Sequence, residues 1–586
     1  MTLLREIFDE AQEQVRTSEV SGPILAVDIG SVNTRAVLLD VVEGGYRFVS
    51  HGVSPSTARA PWNDVLIGVY DALSQIAAAT GRDLIDENGD LILSPRGGPA
   101  GVAGFVATAS AGQPIRAILF GLMPDVSLGS GRRAADSIYL SLLDTFGLDD
   151  RRTTEERINV LLNAQADLVL VVGGTDGGAT EVMREHLDTL FVAYALMKRH
   201  ARPPVLFAGN AALADEIRER AEEIDFPLLV ADNVRPSLGT EYLAGAQEQL
   251  ASLYNEKKAQ NTPGIAEISR WTKDGVQPTA HGFARMVHLL GALRKHNVLG
   301  VDLGSMATAV AASLDGRSYL NVFGQLGIGH AAHQVARQIP PAYIRRWLTV
   351  EGVEDADVLD YLWNRSVFPH TIPAQPAELE MEYAAAREIV RYAVHSARTS
   401  WQTGNTGPLP PFGTILLSGT TLTHTPTDGL SLLVALDALL PVGVTNVLLD
   451  PYGLSAALGA AAPLNPQALV QSLAAGAFYD LGPVVSVPGR DTALRGSLKP
   501  KDGGKTMTFK VAAGEIRPLP LAYGQKAELT LEGGALGGRR KLTVTGGALG
   551  VVIDARGRPV RFPRGDDARR KRLLAWRQAL GEGVRS

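Results

Sequence analysis

Cysteine is absent from all 586 residues. That excludes a disulfide scaffold, a thiolate nucleophile, cysteine-ligated zinc and iron–sulfur clusters with cysteine ligands. Long hydrophobic runs are also missing: none reaches the roughly 18 to 20 apolar residues needed to span a bilayer. Nor is there an excess of positive charge, with 56 Lys+Arg against 62 Asp+Glu and a net charge of −6, so no overall field draws the chain to nucleic acid or anionic membrane. The N-terminus lacks the uninterrupted apolar core and cleavage site of a signal peptide. Its Leu4, Ile7, Phe8, Ala11 and Val15 recur at helical spacing, which predicts a short amphipathic helix within 1–21 and a cytoplasmic protein. The composition is otherwise that of an ordinary globular protein, 45% hydrophobic and 20% charged, in a chain long enough for about four domains.

An internal repeat stands out. Residues 24–34 read Ile-Leu-Ala-Val-Asp-Ile-Gly-Ser-Val-Asn-Thr and residues 298–308 read Val-Leu-Gly-Val-Asp-Leu-Gly-Ser-Met-Ala-Thr. Leu25/Leu299, Val27/Val301, Asp28/Asp302, Gly30/Gly304, Ser31/Ser305 and Thr34/Thr308 coincide without a gap. Each copy is an apolar run ending in Asp, a Gly-Ser turn and a second apolar run, the pattern of a buried β-hairpin. A glycine tip whose N–H groups point one way can cradle phosphate, with Ser and Thr hydroxyls as further donors. The Asp at the strand end can hold magnesium, directly or through water, because that ion takes oxygen ligands and keeps much of its hydration.

The segments downstream of the two hairpins match as well. After the first, the pattern predicts a strand over 46–53, a helix over 63–79, a strand over 115–121, a helix over 153–164 and a strand over 167–172. After the second, it predicts strands over 318–323, 414–417 and 446–449, with helices over 377–400, 430–440 and 453–462. Three strands and then alternating helix and strand imply α/β lobes with mixed sheets, and facing phosphate hairpins imply a cleft between them.

The order of two Asp-x-Gly-Ser hairpins and then Leu417-Ser418-Gly419-Thr420-Thr421 resembles the actin, sugar kinase and heat-shock chaperone superfamily. More narrowly, Ala-Val-Asp-Ile-Gly-Ser, Val171-Val172-Gly173-Gly174-Thr175-Asp176-Gly177-Gly178, Ala208-Gly209-Asn210 and Asp232-Asn233-Val234-Arg235-Pro236 resemble the glutamate mutase accessory protein L family, also called MutL or GlmL and unrelated to mismatch repair. The likeness covers about residues 22–465. It implies two actin-like (ribonuclease H-like) lobes with mixed sheets around a nucleotide cleft, plus a C-terminal mainly β domain. The expected divisions are an N-terminal helix at 1–21, a first lobe with insertions at 22–253, a linker and helix at 254–296, a second lobe at 297–465 and the β domain at 466–586.

The resemblance also implies the site. Asp28 and Asp302 would hold hydrated magnesium and act in catalysis. Gly30, Ser31, Thr34, Gly304, Ser305 and Thr308 would contact ATP or ADP phosphates, Gly173, Gly174 and Thr175 would also bind the nucleotide, and Ser418, Gly419, Thr420 and Thr421 would line the adenosine pocket. Asp176 either orients the attacking water or is a turn residue accepting backbone N–H bonds. Met306 and Ala307 replace glycines of the second loop, and Gly419 stands where a glycine pair is usual, so weak, slow ATPase activity is expected. The function implied is an accessory or chaperone-like protein serving an adenosylcobalamin-dependent mutase as its client. The alternatives are a nucleotide-switched scaffold in cell-envelope or cytoskeletal assembly and a small-molecule kinase.

Other features stay open. His330 and His333, three apart, are either metal ligands or structural histidines. Gly503-Gly504-Lys505-Thr506 reads as a β-turn, since Lys499 stands where a Walker loop requires glycine. From about Gly482, short alternating runs at 506–511, 526–531, 541–544 and 550–553 predict a small antiparallel sandwich or barrel. A final helix with Arg569, Arg570, Lys571, Arg572, Trp576 and Arg577 is either a solvated face or a grip for an acidic patch on a partner.

Overall fold

The computed structural model describes residues 21–581 apart from 95–97, 179, 402–407 and 534–537. The helix expected within 1–21 falls almost wholly outside them. The described chain divides into two compact units. One holds the chain up to Ser56, Gly68–Thr108 and everything from His281; the other holds Thr57–Ile67 and Ala109–Ala280.

The first unit contains both hairpins. Strands β1 (Ile24–Ile29), β2 (Asn33–Val42), β3 (Gly45–Pro55) and β4 (Gly104–Ala109) line up as β4-β1-β2-β3, with β1-β2 and β2-β3 antiparallel. Every residue of β1 is buried. In the second unit, β5 (Ile115–Phe120), β6 (Leu140–Phe146), β7 (Leu168–Val171), β8 (Val205–Phe207) and β9 (Leu228–Val230) form a separate sheet in the order β6-β5-β7-β8-β9, parallel throughout. A helix sits in each crossover, as parallel pairing requires. A short strand, β10 (Val276–Pro278), precedes the helix Thr279–Arg294.

The chain then returns to the first unit. Strands β11 (Val298–Leu303), β12 (Thr308–Leu314), β13 (Arg317–Phe323), β14 (Thr414–Ser418) and β15 (Gly443–Leu449) are ordered β13-β12-β11-β14-β15. The first three are antiparallel, and β14 and β15 add in parallel. That is the ribonuclease H-like topology of actin-like proteins. One large core covers this sheet with the helices Pro376–Ala397, Asp428–Leu439 and Asp566–Gly581.

Three expectations need correction. The strands at 115–120 and 168–171 belong to the inserted parallel sheet of the second unit, not to the sheet of the first hairpin. The linker expected at the start of 254–296 is not open: the helix Ala244–Asn261 runs on through its first residues, burying Tyr254 and Lys258. Lys258 points its amine at the Ala111 and Gln113 carbonyls, 2.5 and 2.8 Å away, so a charged residue lies on the inner face and the sequence pattern looks polar all round.

The C-terminal region is the third. Strands β16 (Tyr479–Ser486), β19 (Ile516–Leu519) and β22 (Val551–Asp554) extend the large sheet as β15-β16-β22-β19. Strands β17 (Leu494–Pro500), β18 (Met507–Val511), β20 (Lys526–Gly533) and β21 (Gly538–Thr545) make a four-stranded antiparallel sheet, β18-β17-β20-β21. Leu498, Phe509 and Leu529 pack with Val485, Val551 and Ile553, so the sandwich is built on the extended sheet. Among the described residues no helix is long and apolar enough to cross a membrane.

Candidate nucleotide site

The two hairpin tips are built alike. Gly30 N–H donates to the Asn33 carbonyl and Gly304 N–H to the Ala307 carbonyl, both at 2.9 Å. Asp28 and Asp302 end their strands opposite Arg35 and Ala309 respectively. The threonines closing the turns are both fully buried, yet they differ: Thr308 donates its hydroxyl to the Leu326 carbonyl, whereas Thr34 Oγ1 is buried with no hydrogen-bond partner among the described residues. A buried hydroxyl of this kind is costly unless something satisfies it.

Asp302 feels the neighbouring carboxylate of Asp28. Burial pushes the Asp302 carboxyl up to about 6; Asp28 adds to the shift, while Arg35 and the Ser418 hydroxyl oppose it. Asp28 accepts a hydrogen bond from Thr108 Oγ1 at 2.7 Å. A third acid, Asp450, is committed elsewhere: it caps the helix Leu454–Ala461, accepting from Leu454 N at 2.7 Å and Ser455 N at 2.8 Å. Burial raises its pKa. Among the described residues no group of three His, Asp or Glu gathers as a closed metal cage. Two carboxylates with solvent completing the shell is the donor set that hydrated magnesium takes.

The adenosine-type loop meets this pair. Ser418 lies opposite Asp302 in the parallel register of β11 and β14. Gly419 has φ +95°, and a Cβ there would stand 2.2 Å from the Leu303 carbonyl oxygen, so the loop passes the hairpin base only as glycine. Arg35 donates to Thr420 Oγ1 at 3.0 Å, joining the first hairpin to the second half of the chain. Thr421 Oγ1 donates to Glu382 at 3.0 Å, and the same buried glutamate accepts from Tyr361 at 2.5 Å and lies beside Arg365 at 3.3 Å.

His330 proves to be part of the second hairpin turn. Its backbone N–H donates to Ser305 Oγ at 2.9 Å, and its ring Nδ1 lies 2.9 Å from the same oxygen. The neighbouring Gly327-Ile328-Gly329 segment presses on the loop, with a Cβ at Gly329 falling 2.1 Å from Ser305 Oγ. His333 instead bonds the His330 carbonyl and Gln334.

The first unit thus brings together Asp28, Thr34, Asp302, Ser418, Gly419 and Thr420 through direct bonds, strand register and the effect of Asp28 on Asp302. It also carries Gly30, Ser31, Gly304, Ser305, Thr308 and Thr421. Gly173, Gly174, Thr175 and Asp176 belong to the second unit. There Asp176 Oδ1 accepts from Ala211 N at 3.1 Å and Asn233 Nδ2 at 2.8 Å, and Asn233 Nδ2 also reaches the Gly174 carbonyl at 3.0 Å. Asn210 N–H donates to the Gly173 carbonyl at 2.9 Å. The Gly-Gly-Thr-Asp-Gly-Gly, Ala-Gly-Asn and Asp-Asn-Val-Arg-Pro strings are therefore one knot at the ends of β7, β8 and β9. Sequence reasoning missed Arg35, Thr108, Glu382 and Asp450. Arg35, one residue after the repeated Thr, was the nearest to a readable signal.

Several known proteins are similar to this chain. Protein MutL of Clostridium tetanomorphum is 23% identical over 297 residues, 50% of this chain and 58% of that protein; the chain thus matches little more than half of that relative's length. Among solved structures, diol dehydratase-reactivating factor in its nucleotide-free form aligns with 76% of this chain and 100% of its own at 11% identity and a TM-score of 0.31. Glycerol dehydratase reactivase aligns with 77% of this chain and 100% of its own, at 12% identity and a TM-score of 0.28. The (R)-2-hydroxyglutaryl-CoA dehydratase component A of Acidaminococcus fermentans aligns with 76% and 99%, at 7% identity and a TM-score of 0.26. The family model described as MutL protein matches residues 24–475, most of the chain, and the protein belongs to that family.

Proposed function

We propose that the protein binds ATP or ADP with magnesium at the paired hairpins, hydrolyses ATP slowly, and serves as an accessory or chaperone-like partner of an adenosylcobalamin-dependent mutase of the glutamate mutase type. The observation that carries the nucleotide reading is the pair Asp28 and Asp302 at the bases of two matching glycine turns, beside a buried Thr34 hydroxyl that has no partner among the described residues. The client reading is supported by membership of the MutL family.

Asp28 and Asp302 would hold the ion, which would supply positive charge to offset that of the phosphates. The backbone N–H groups of Ser31 and Ser305, with the Thr34 and Ser305 hydroxyls, would face the phosphates. Gly419 to Thr421 would border the base and sugar. Arg35, bonded to Thr420, ties the loop at one end of the ligand to the hairpin at the other, so closure around nucleotide would reach both halves of the first unit.

The test is thermal melting with and without millimolar Mg-ATP, since a ligand that binds only the folded state raises stability in proportion to the logarithm of its concentration over Kd, once that ratio is large. Wild-type protein should melt higher with ligand and Asp28→Ala should not; an unchanged wild-type midpoint refutes the nucleotide reading. Pull-down from native cells with and without ATP tests the client, and recovery of no mutase in either condition counts against it.

A further inference from the structure

The second unit has the doubly wound strand order in which β5 lies between its two successors, β6 and β7. Sheets of this kind hold ligands outside the carboxyl ends of their strands, at or near the point where the order reverses. Here the reversal point itself is filled. Leu122 is buried there, the Ser127 hydroxyl accepts from Leu122 N and Met123 N at 2.9 and 3.1 Å, and a Cβ at Gly121 would stand 2.6 Å from Leu128. One strand along, over the ends of β7, β8 and β9, a cavity of about 520 Å³ is open, within the size range of small-molecule sites.

Its lining selects a chemistry. Ala211, Ala214, Val230 and Pro236 supply apolar wall, and Tyr242, 47% exposed, offers a ring for stacking. Asp176 and Asp232 supply two carboxylates, the first held in place by Ala211 N and Asn233 Nδ2. The guanidinium in the lining, Arg218, is already bonded to Asp215 at 2.5 Å. Such a cavity repels anions and accepts hydrogen bonds from hydroxyl groups.

We infer that this cavity, made wholly by the second unit, is a binding site for an uncharged polyhydroxylated molecule of nucleoside size, with its hydroxyls on Asp176 and Asp232 and its flat face against Tyr242. Asp176 is then a binding residue of this site in place of a water-orienting one. The inference stands apart from the nucleotide reading, because none of its residues belongs to the hairpin unit.

The probe is 8-azidoadenosine, photocrosslinked to the full chain carrying Asp302→Ala and located by peptide mapping, with 8-azido-AMP as the charged control. Peptides within 205–245 should be labelled, AMP should label them at least about tenfold less, and adding Asp232→Asn should cut adenosine labelling by about tenfold, because a neutral amide oxygen accepts a hydroxyl's hydrogen bond more weakly than a carboxylate and its NH2 brings a competing donor. Asp232 is exposed, so the variant should keep the parent's melting midpoint. Absence of label in 205–245, equal labelling by AMP, or labelling indifferent to Asp232→Asn overturns the proposal. Label in 414–455 of the wild-type chain reports the hairpin site instead, so each reading can fail alone.

Discussion

Asp302 and Asp554 are carboxylates enclosed by protein, and their surroundings drive them in opposite directions. Burial and the nearby Asp28 push Asp302 up to about 6. For Asp554 burial acts the same way, but Arg556 and Arg558 outweigh it and hold the group far below the carboxylate range. A raised folded-state pKa means that the ligand-free protein loses stability as pH climbs from about 4 to 6, and the full penalty is present at neutrality. Asp302→Asn should therefore stabilise the ligand-free protein at pH 7.5 by about 1–3 kcal/mol, while removing the melting shift given by Mg-ATP. Wild-type protein should show a smaller Mg-ATP shift at pH 5.5 than at 7.5, because the ion must displace the proton. Calorimetry at the two pH values reads both effects; an Asp302→Asn chain less stable than wild type at pH 7.5 would contradict the sign. Gly419→Ala should cost about 1–3 kcal/mol, since it combines a left-handed φ with a clash against the Leu303 carbonyl, and urea melts would show it as a lower midpoint at unchanged slope.

At the scale of elements, the hairpins were legible and much around them was not. Six coincident residues fixed β1 and β11, and their antiparallel partners could be read from alternation. The inserted sheet was harder because β8 and β9 are three residues each, too short for any period to show. β4 hid in Gly-Phe-Val-Ala-Thr-Ala behind a glycine-rich loop, and with it went Thr108 as the partner of Asp28. Asp450 carries no local signal, since its role depends on β15 and the next helix meeting in space. The helix Asp566–Gly581 was misleading in another way. Its basic residues were read as either a solvated face or a grip for a partner, and the structure commits some of them to the protein itself, with Lys571 and Arg572 still exposed: Arg577 bonds Thr349 at 3.1 Å and pairs with Glu380 at 2.5 Å, Arg572 reaches the Gly514 carbonyl at 3.2 Å, and buried Trp576 donates to the same carbonyl at 2.9 Å. Trp576→Ala should cost about 3–5 kcal/mol, visible as a large drop in melting temperature; a drop within the range of surface variants would return the helix to solvent.

Over the whole molecule, the two halves of the large sheet are clamped by charge. Asp437 accepts from Arg387 at 2.9 Å and Arg556 at 2.7 Å, and Asp554 accepts from Arg556 at 2.9 Å and Arg558 at 2.7 Å, every one of these side chains buried. Asp437 lies on a helix of the actin-like core and Asp554 ends β22, so the network spans the junction that the sequence suggested was a domain boundary. Asp437→Ala leaves two guanidinium groups facing a gap and should cost about 3–5 kcal/mol. Removal of residues 482–586 should collapse the sheet from β15 outward, read as lost cooperativity in melting and lost Mg-ATP response together. A truncated chain that melts sharply and still responds to Mg-ATP would mean that the C-terminal region is an independent appendage.

Strand β22 also sets a timetable. It pairs in parallel with β16, Val484 to Val552 and Ser486 to Asp554, but at about 5–20 residues per second it leaves the ribosome several seconds after its neighbour. During that wait β16 offers a bare, valine-rich edge to any other extended chain in reach. Newborn molecules held at Ser486 should recruit cellular holdases and clump when these are depleted, whereas molecules translated through Gly581 should not. A protein proposed to tend another enzyme thus passes its own first seconds in need of tending.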